Sequence, residues 1–399
     1  MNIIRENVRQ YAIFIALVVI AVFFQIMTNG VVFMPANITN LILQNSYILI
    51  LAIGMTMVIV TGRIDLSVGS VMGISGAVAG YLIIAQRWPV WVVIPLVLLV
   101  GFLIGIFQGF WIAYMKIPFF VVTLAGMMMY RGLTMLILDG RMLSPFPESF
   151  QMMSAGFLPD FTHGYNFNLT AVLICATLAM MIIAVEFKNR RISNNYGVEN
   201  LPMAFFLTKI GLILGVFGLF AYWFGASNGI PNVLVVLGVL VVIYSYMANK
   251  TILGRHIYAT GGNAKASELS GIKTKQIVFW VYVNMAVLAS LAGMVFVARL
   301  NAANPRAGVG DELQAIAAAF IGGASPSGGV GKVSGAIAGA MIVGIMNNGM
   351  SIMGRSIDER QVVTGLLLLA AVIFDVLMKN RVEKKAKKPV ETKSQEVKA

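Results

Sequence analysis

The stretch PNVLVVLGVLVVIYSYMAN (231–249), then LGRHIYATGGNAKASELSGIKTK (Leu253–Lys275), then QIVFWVYVNMAVLASLAGMVFVA (276–298) sets the reading of the whole chain. Two apolar runs, each long enough to cross the roughly 30 Å hydrocarbon core of a bilayer, flank a polar segment with internal structure of its own. Asn263 follows Gly261-Gly262 as an N-cap, AKASELS fills two turns, and Gly271 stands where a left-handed C-terminal cap belongs. A loop that only joins two spans needs no such start and stop. A short rigid helix, Gly261–Gly271, offers a partner protein something to hold, although an interfacial loop helix with no partner has the same local pattern.

Working outward, the rest of the chain repeats the apolar theme. Hydrophobic residues make up 59% of the 399 positions and charged residues 11%, against about 25% charged in soluble domains. The runs are apolar on every side rather than on one stripe, so a large soluble core is excluded. Segments at 11–28, 43–62, 67–85, 90–114, 119–138, 168–187, 204–224, 231–249, 276–298, a short one at 313–324, 332–353 and 361–378 predict an all-α polytopic membrane protein of about twelve spans, some short or broken. The expected organisation is an N-terminus at 1–10, a transmembrane domain at 11–378 with a loop at 250–275, and a basic tail at 379–399. The apolar run after Arg5 and Arg9 lacks a small-residue cleavage site and reads as an uncleaved first span.

Charge placement orients the threading. An even number of spans puts both termini on one side, and the basic ends make that side the cytoplasm. All fifteen lysines then fall on or near it, including Lys116, Lys188, Lys250, Lys273, Lys275 and Lys332. The far side keeps Arg87, Arg141, Arg306, Arg355 and Arg360, together with the Met142–Asn166 loop. The net charge of +13 thus follows the positive-inside rule, and no basic stripe interleaved with aromatics suggests nucleic acid. The single cysteine, Cys175, excludes an internal disulfide.

The chain also repeats itself. GSVMGISGAVAGYLI (Gly69–Ile83) and GGVGKVSGAIAGAMI (Gly328–Ile342) match at eight of fifteen positions without a gap, including Ser75/Ser334, Gly76/Gly335 and Gly80/Gly339. A glycine-containing break precedes or opens each copy, TGRIDLSVGS and IGGASPSGGVGK. Interrupted segments at corresponding places of two halves point to a transport pathway, here expected as a parallel duplication.

Catalytic motifs are missing. No G-x-x-x-x-G-K-[ST] loop is present, so the chain is not expected to hydrolyse ATP, and it is read as a transport subunit rather than an enzyme. His163 and His256 fall on opposite sides of the threading, which leaves neither a metal site nor a His-based pair. Asp65, beside the first break, could cap the next helix, pair with Arg63 or Arg131, or gate a path. Arg131, inside a span, must face a cavity or a partner rather than lipid. Asn45, Gln108, Thr123, Asn284, Asn347 and Asn348 place hydrogen-bonding groups within spans. Each could bond a neighbouring helix, and together they suit a polar lining for hydroxylated solutes. No carboxylate lies clearly at a midplane, so a proton- or sodium-coupled carrier lacks its usual group.

Five blocks in order, GRIDLSVGS (62–70), IPFFVVTLAGMMMYRG (117–132), LGRHIYATGGNAKASELSGIKTK (253–275), DELQAIAAAFIGGASPSGGVGK (311–332) and MNNGMS (346–351), resemble the membrane subunits of bacterial ABC importers for monosaccharides, the ribose/xylose permease family. The longer region at 188–249 is similar to the xylose and multiple-monosaccharide type. The resemblance implies a multi-pass protein of the bacterial inner membrane that pairs with a second copy of itself. It also implies a cytoplasmic ATPase with fused nucleotide-binding domains, which would carry the ATP and magnesium, and a periplasmic sugar-binding protein. Carried over by position, Gly261, Gly262, Asn263, Ala264, Ala266, Ser267, Glu268, Leu269, Ser270 and Gly271 would be the coupling helix that docks into the ATPase. The breaks at Asp65 and Gly322–Gly331 would shape the path, with Asp65, Ser67, Thr123, Arg131, Asn284, Asn347 and Asn348 as its expected residues. Arg63 departs from the family, in which a smaller or uncharged residue is more usual before IDLSVG. A secondary sugar carrier, or an ABC permease for branched-chain amino acids, are the competing readings; a membrane enzyme fits poorly.

Overall fold

A computed structural model of the chain describes residues 2–161, 167–197 and 202–386. Helices follow one another as α1 (Asn2–Met27), α2 (Pro35–Val60), α3 (Val68–Gly80, prolonged by a π turn at Tyr81–Ala85), α4 (Val90–Ala113), α5 (Phe119–Ile137), a single turn α6 (Glu148–Gln151), α7 (Leu169–Asn195), α8 (Met203–Gly225), α9 (Asn232–Lys250), α10 (Ile252–Gly262), α11 (Ala264–Leu269), α12 (Thr274–Leu300), α13 (Asp311–Ile321), α14 (Val333–Ile352) and α15 (Ile357–Ala386). Each of the twelve expected segments falls on a helix. Nine of these helices are long and apolar enough to cross a membrane among the described residues; α1 carries a shorter apolar stretch, Ala12–Met27. His163 and residues 387–399 of the expected basic tail lie outside the described residues.

Two boundaries differ from expectation for local reasons. Helix α2 starts at Pro35, not at 43, because proline at the first helical position needs no hydrogen-bond partner there. Residues 252–262 are helical as well, with Thr251 accepting from the Gly254 N–H as an N-cap. The polar segment is therefore two helices at an angle rather than one helix in a loop.

Burial sorts the helices into layers. Helices α2, α3, α12 and α14 form the centre; α2 is 89% buried across its most apolar window, whereas α8 is only 6% buried. Outer helices that expose Leu, Val and Phe are as expected where the solvent is lipid, since every backbone group is already paired within its helix. Close packing at the centre relies on small residues. Gly101, Gly105 and Gly109 form one stripe of α4 against α12, where a Cβ on Gly105 would stand 2.5 Å from the Val283 Cα. Two buried polar groups at the centre find partners within it: Asn45 donates to the Leu41 carbonyl at 2.7 Å, and Ser75 donates to Ser290 at 2.8 Å. At one end the segment after α5 folds back, with Leu143 bridged to Ala303 and the Phe146 N–H donating to Asn301 at 2.7 Å.

Candidate functional site: a glycine junction and a buried polar network

At the end carrying α10 and α11, three segments far apart in sequence meet. The chain turns out of α2 at Val60–Gly62 and out of α13 at Gly322–Gly331, and Gly261 stands in the last turn of α10. The Gly329 N–H donates to the Val60 carbonyl at 2.8 Å. Gly261 is wedged between them: a Cβ there would sit 1.6 Å from the Val60 oxygen and 2.8 Å from the Gly329 nitrogen. The Tyr258 hydroxyl donates to the Gly331 carbonyl at 2.7 Å and adds a second clamp. Gly328 and Gly329 hold φ of +80° and +74°, a region closed to most side chains. Only glycine fits at this crossing.

Beyond the junction α10 hands over to α11. Asn263 accepts from the Ala266 N–H at 2.9 Å, the N-cap expected from sequence. At the other end the Ile272 N–H donates to the Ser267 carbonyl at 3.0 Å, and Gly271 has φ +85°. That is the helix stop expected of a left-handed glycine. Ser267 is the buried side of α11, while Leu269 is 83% exposed, an apolar side chain held out at the end of a capped helix.

The second constellation lies within the helices. Asp65 is buried in the first break and accepts from the Ser67 N–H at 2.8 Å and the Ser67 hydroxyl at 2.6 Å. Of the three roles open to it from sequence, the geometry is that of a turn that delivers Ser67 as the N-cap of α3; it pairs with neither arginine. Arg63 instead donates to the Thr61 carbonyl at 2.8 Å. Gln108 donates to the Ser67 hydroxyl at 2.7 Å, and the buried Gln108 Oε1 and Tyr130 hydroxyl have no hydrogen-bond partner among the described residues.

Arg131 finds its partner in Glu312, at 2.7 Å, where α5 meets the first turn of α13. Next to it Asp311 accepts from Tyr47 at 3.3 Å and from Gln314 at 3.1 Å, and Asn347 donates to Gln314 at 3.3 Å. Two acids in the first turn of α13 also face its N-terminal dipole. The remaining expected path residues are not brought together. Asn284 bonds Tyr244, Asn348 bonds Asn37 at 3.0 Å, and Thr123 donates to the Phe119 carbonyl of its own helix at 2.9 Å. Sequence reasoning missed Glu312, Tyr47 and Gln314 as members of the network. The signal that existed was the acidic pair opening a short apolar helix.

Comparison with known proteins agrees with this architecture. The family described as branched-chain amino acid transport system / permease component matches residues 37–372. The xylose transport system permease protein XylH of Haemophilus influenzae is 36% identical over 378 residues, 94% of this chain and 98% of that protein. XylH of Escherichia coli K12 is 35% identical over 376 residues, 94% and 93% of the two chains. The ribose import permease protein RbsC of Haemophilus influenzae is 32% identical over 362 residues, 91% of each. No solved structure matches the chain. Apolar helices throughout, a glycine junction beneath a capped surface helix, and near full-length similarity to these proteins together place the chain in the permease-component family, among its ribose/xylose-type members.

Proposed function

We propose that this chain is the membrane-spanning subunit of an ATP-binding cassette importer that carries a monosaccharide, xylose or several pentoses and hexoses, into the bacterial cytoplasm. The observation that carries the reading is the similarity over 94% of the chain to a xylose permease, and the junction supplies a physical route for coupling. ATP and magnesium are bound by a partner ATPase with fused nucleotide-binding domains, which docks on α11 at the cytoplasmic side. A periplasmic binding protein delivers the sugar, and a second copy of the chain completes the pathway.

A push on α11 reaches both breaks at once, because Gly261 touches Val60 and Gly329 with no flexible side chain between them. Nucleotide and binding protein then bias two states by their differential affinity, which is what alternating access requires. Asp65, Ser67 and Arg131 stand at the break and the ion pair and contribute to the path. Thr123, Asn284, Asn347 and Asn348 must exchange their present partners before they touch a solute. The twelve-span threading, with both termini in the cytoplasm and the two halves related by duplication, belongs to the same proposal.

Uptake in vesicles that hold this subunit, with and without its ATPase, binding protein and ATP, tests the function. Pentose or hexose uptake only with all of them supports it. Uptake by this chain alone that collapses with the proton gradient makes it a secondary carrier. Gly271→Val tests the coupling: a Cβ there meets nothing within 4 Å, so only the helix stop is strained. Normal insertion with uptake cut by about tenfold or more, equivalent to roughly 1.4 kcal/mol of coupling, is expected; unchanged uptake sinks the docking role of α11.

A further inference from the structure

Arg63 has no part in the junction or in the polar network. It lines a cleft of about 320 Å³ at the same end as α11. The cleft lies between the α4–α5 turn and the α11–α12 turn. Lys116 and Lys275 line it with Arg63, against one carboxylate, Glu268, and the hydroxyl-bearing Thr260 and Thr274 complete the polar wall. None of the three cations makes an ion pair among the described residues, whereas the Arg131, Arg141, Lys209 and Arg355 side chains do. Thr260 is 2% exposed and its hydroxyl has no hydrogen-bond partner among the described residues. Three cations against one carboxylate, around a buried hydroxyl with no partner among the described residues, favour an anion.

The surroundings say which anion. Trp111, Tyr114 and Trp280 are 36%, 39% and 52% exposed on the flanking helices α4 and α12 and their ends. Exposed Trp and Tyr at the ends of apolar helices mark the head-group level of a bilayer. A basic pocket between helix ends at that level matches a lipid phosphate, with the planar guanidinium suited to two of its oxygens. We propose that this cleft binds the phosphate head group of an anionic phospholipid of the cytoplasmic leaflet, and so ties α11 and the first break to the membrane surface. The proposal rests on the membrane orientation given above but not on the transported solute.

Native mass spectrometry of the whole chain, released from phosphatidylcholine nanodiscs with or without phosphatidylglycerol, tests it. Retention of phosphatidylglycerol over phosphatidylcholine is expected. Lys116→Gln and Lys275→Gln are each expected to weaken retention about fivefold, whereas Lys250→Gln, outside the cleft, leaves it unchanged. Melting in phosphatidylcholine alone checks that each variant is folded. Equal retention by wild type and both cleft variants overturns the proposal. Displacement of the lipid by millimolar inorganic phosphate makes it a soluble-anion site, and displacement by the ATPase makes it a protein contact; either result overturns the lipid assignment. Because binding is read on this subunit alone, failure of ATP-dependent uptake leaves the result standing, and loss of lipid binding leaves the import reading intact.

Discussion

The two matching segments, Gly69–Ile83 and Gly328–Ile342, are alike in sequence and part company in structure. In the first, GSVMG at 69–73 is already helical, inside α3. In the second, the matching GGVGK at 328–332 is the break itself, and α14 begins only at Val333. Start signals account for the difference: Asp65 and Ser67 close a turn that launches α3 early, while three glycines in five residues, two at positive φ, delay α14. The partners differ too. Gly76 of α3 packs against Val297 of α12, whereas its counterpart Gly335 of α14 packs against the Gly322 backbone beside its own lead helix, α13. Small residues in a repeat license close approach but do not choose the neighbour.

The sharpest way to break this comparison is at Gly261, where both breaks meet. Gly261→Val puts a branched side chain where even a Cβ lies 1.6 Å from an oxygen. A loss of about 3 kcal/mol or more is expected, read as disappearance of the folded peak in size-exclusion of the solubilised protein. A folded, transporting variant would mean that the breaks are not locked together.

Next comes the matched pair Gly335→Ala and Gly76→Ala. The first sets a Cβ 2.1 Å from the Gly322 carbonyl oxygen, and the second 2.6 Å from a Val297 methyl, which can rotate away. Expected costs are about 2–3 kcal/mol and about 1 kcal/mol, so the first variant should melt several degrees lower. Equal melting temperatures would erase the asymmetry between the copies.

The first copy also meets α13, the helix ahead of the second, where a Cβ on Gly69 would stand 2.4 Å from the Glu312 Oε2. Arg131→Met leaves that carboxylate buried and unpaired; with Arg131 about one-third exposed, a loss of about 2 kcal/mol is expected. Adding Glu312→Gln should restore at least half, measured by thermal melting of the double variant against each single one. A purely additive double variant would show that the ion pair is not coupled. The mildest variant is Tyr258→Phe, which frees the second break alone and should cost about 1 kcal/mol. A cost as large as that of Gly335→Ala would move the weight of the junction onto this one hydrogen bond.

Sequence alone disclosed what depends on local signals. The helical segments, the Asn263 cap and the Gly271 stop are each set within a few residues, and each stands in the structure. Helix α10 was hidden because Gly254, Gly261 and Gly262 depress helix propensity, and tertiary packing overrides that. The Gly101/Gly105/Gly109 stripe was visible as a spacing, but its partner α12 was not. The polar residues read as one lining divide into separate pairs, because a hydrogen bond such as Asn37–Asn348 joins positions 311 apart. No local pattern carries such a pairing.

The bond from Gly329 to Val60 also sets an order of events during synthesis. The Val60 carbonyl and Gly261 are both made before Gly329. Until the second break is made, the Val60 carbonyl lacks the Gly329 donor and the Gly261 notch lacks its third member. Closing the crossing needs Val60, Gly261 and Gly329 in place together, so this contact forms only after the second break has been made.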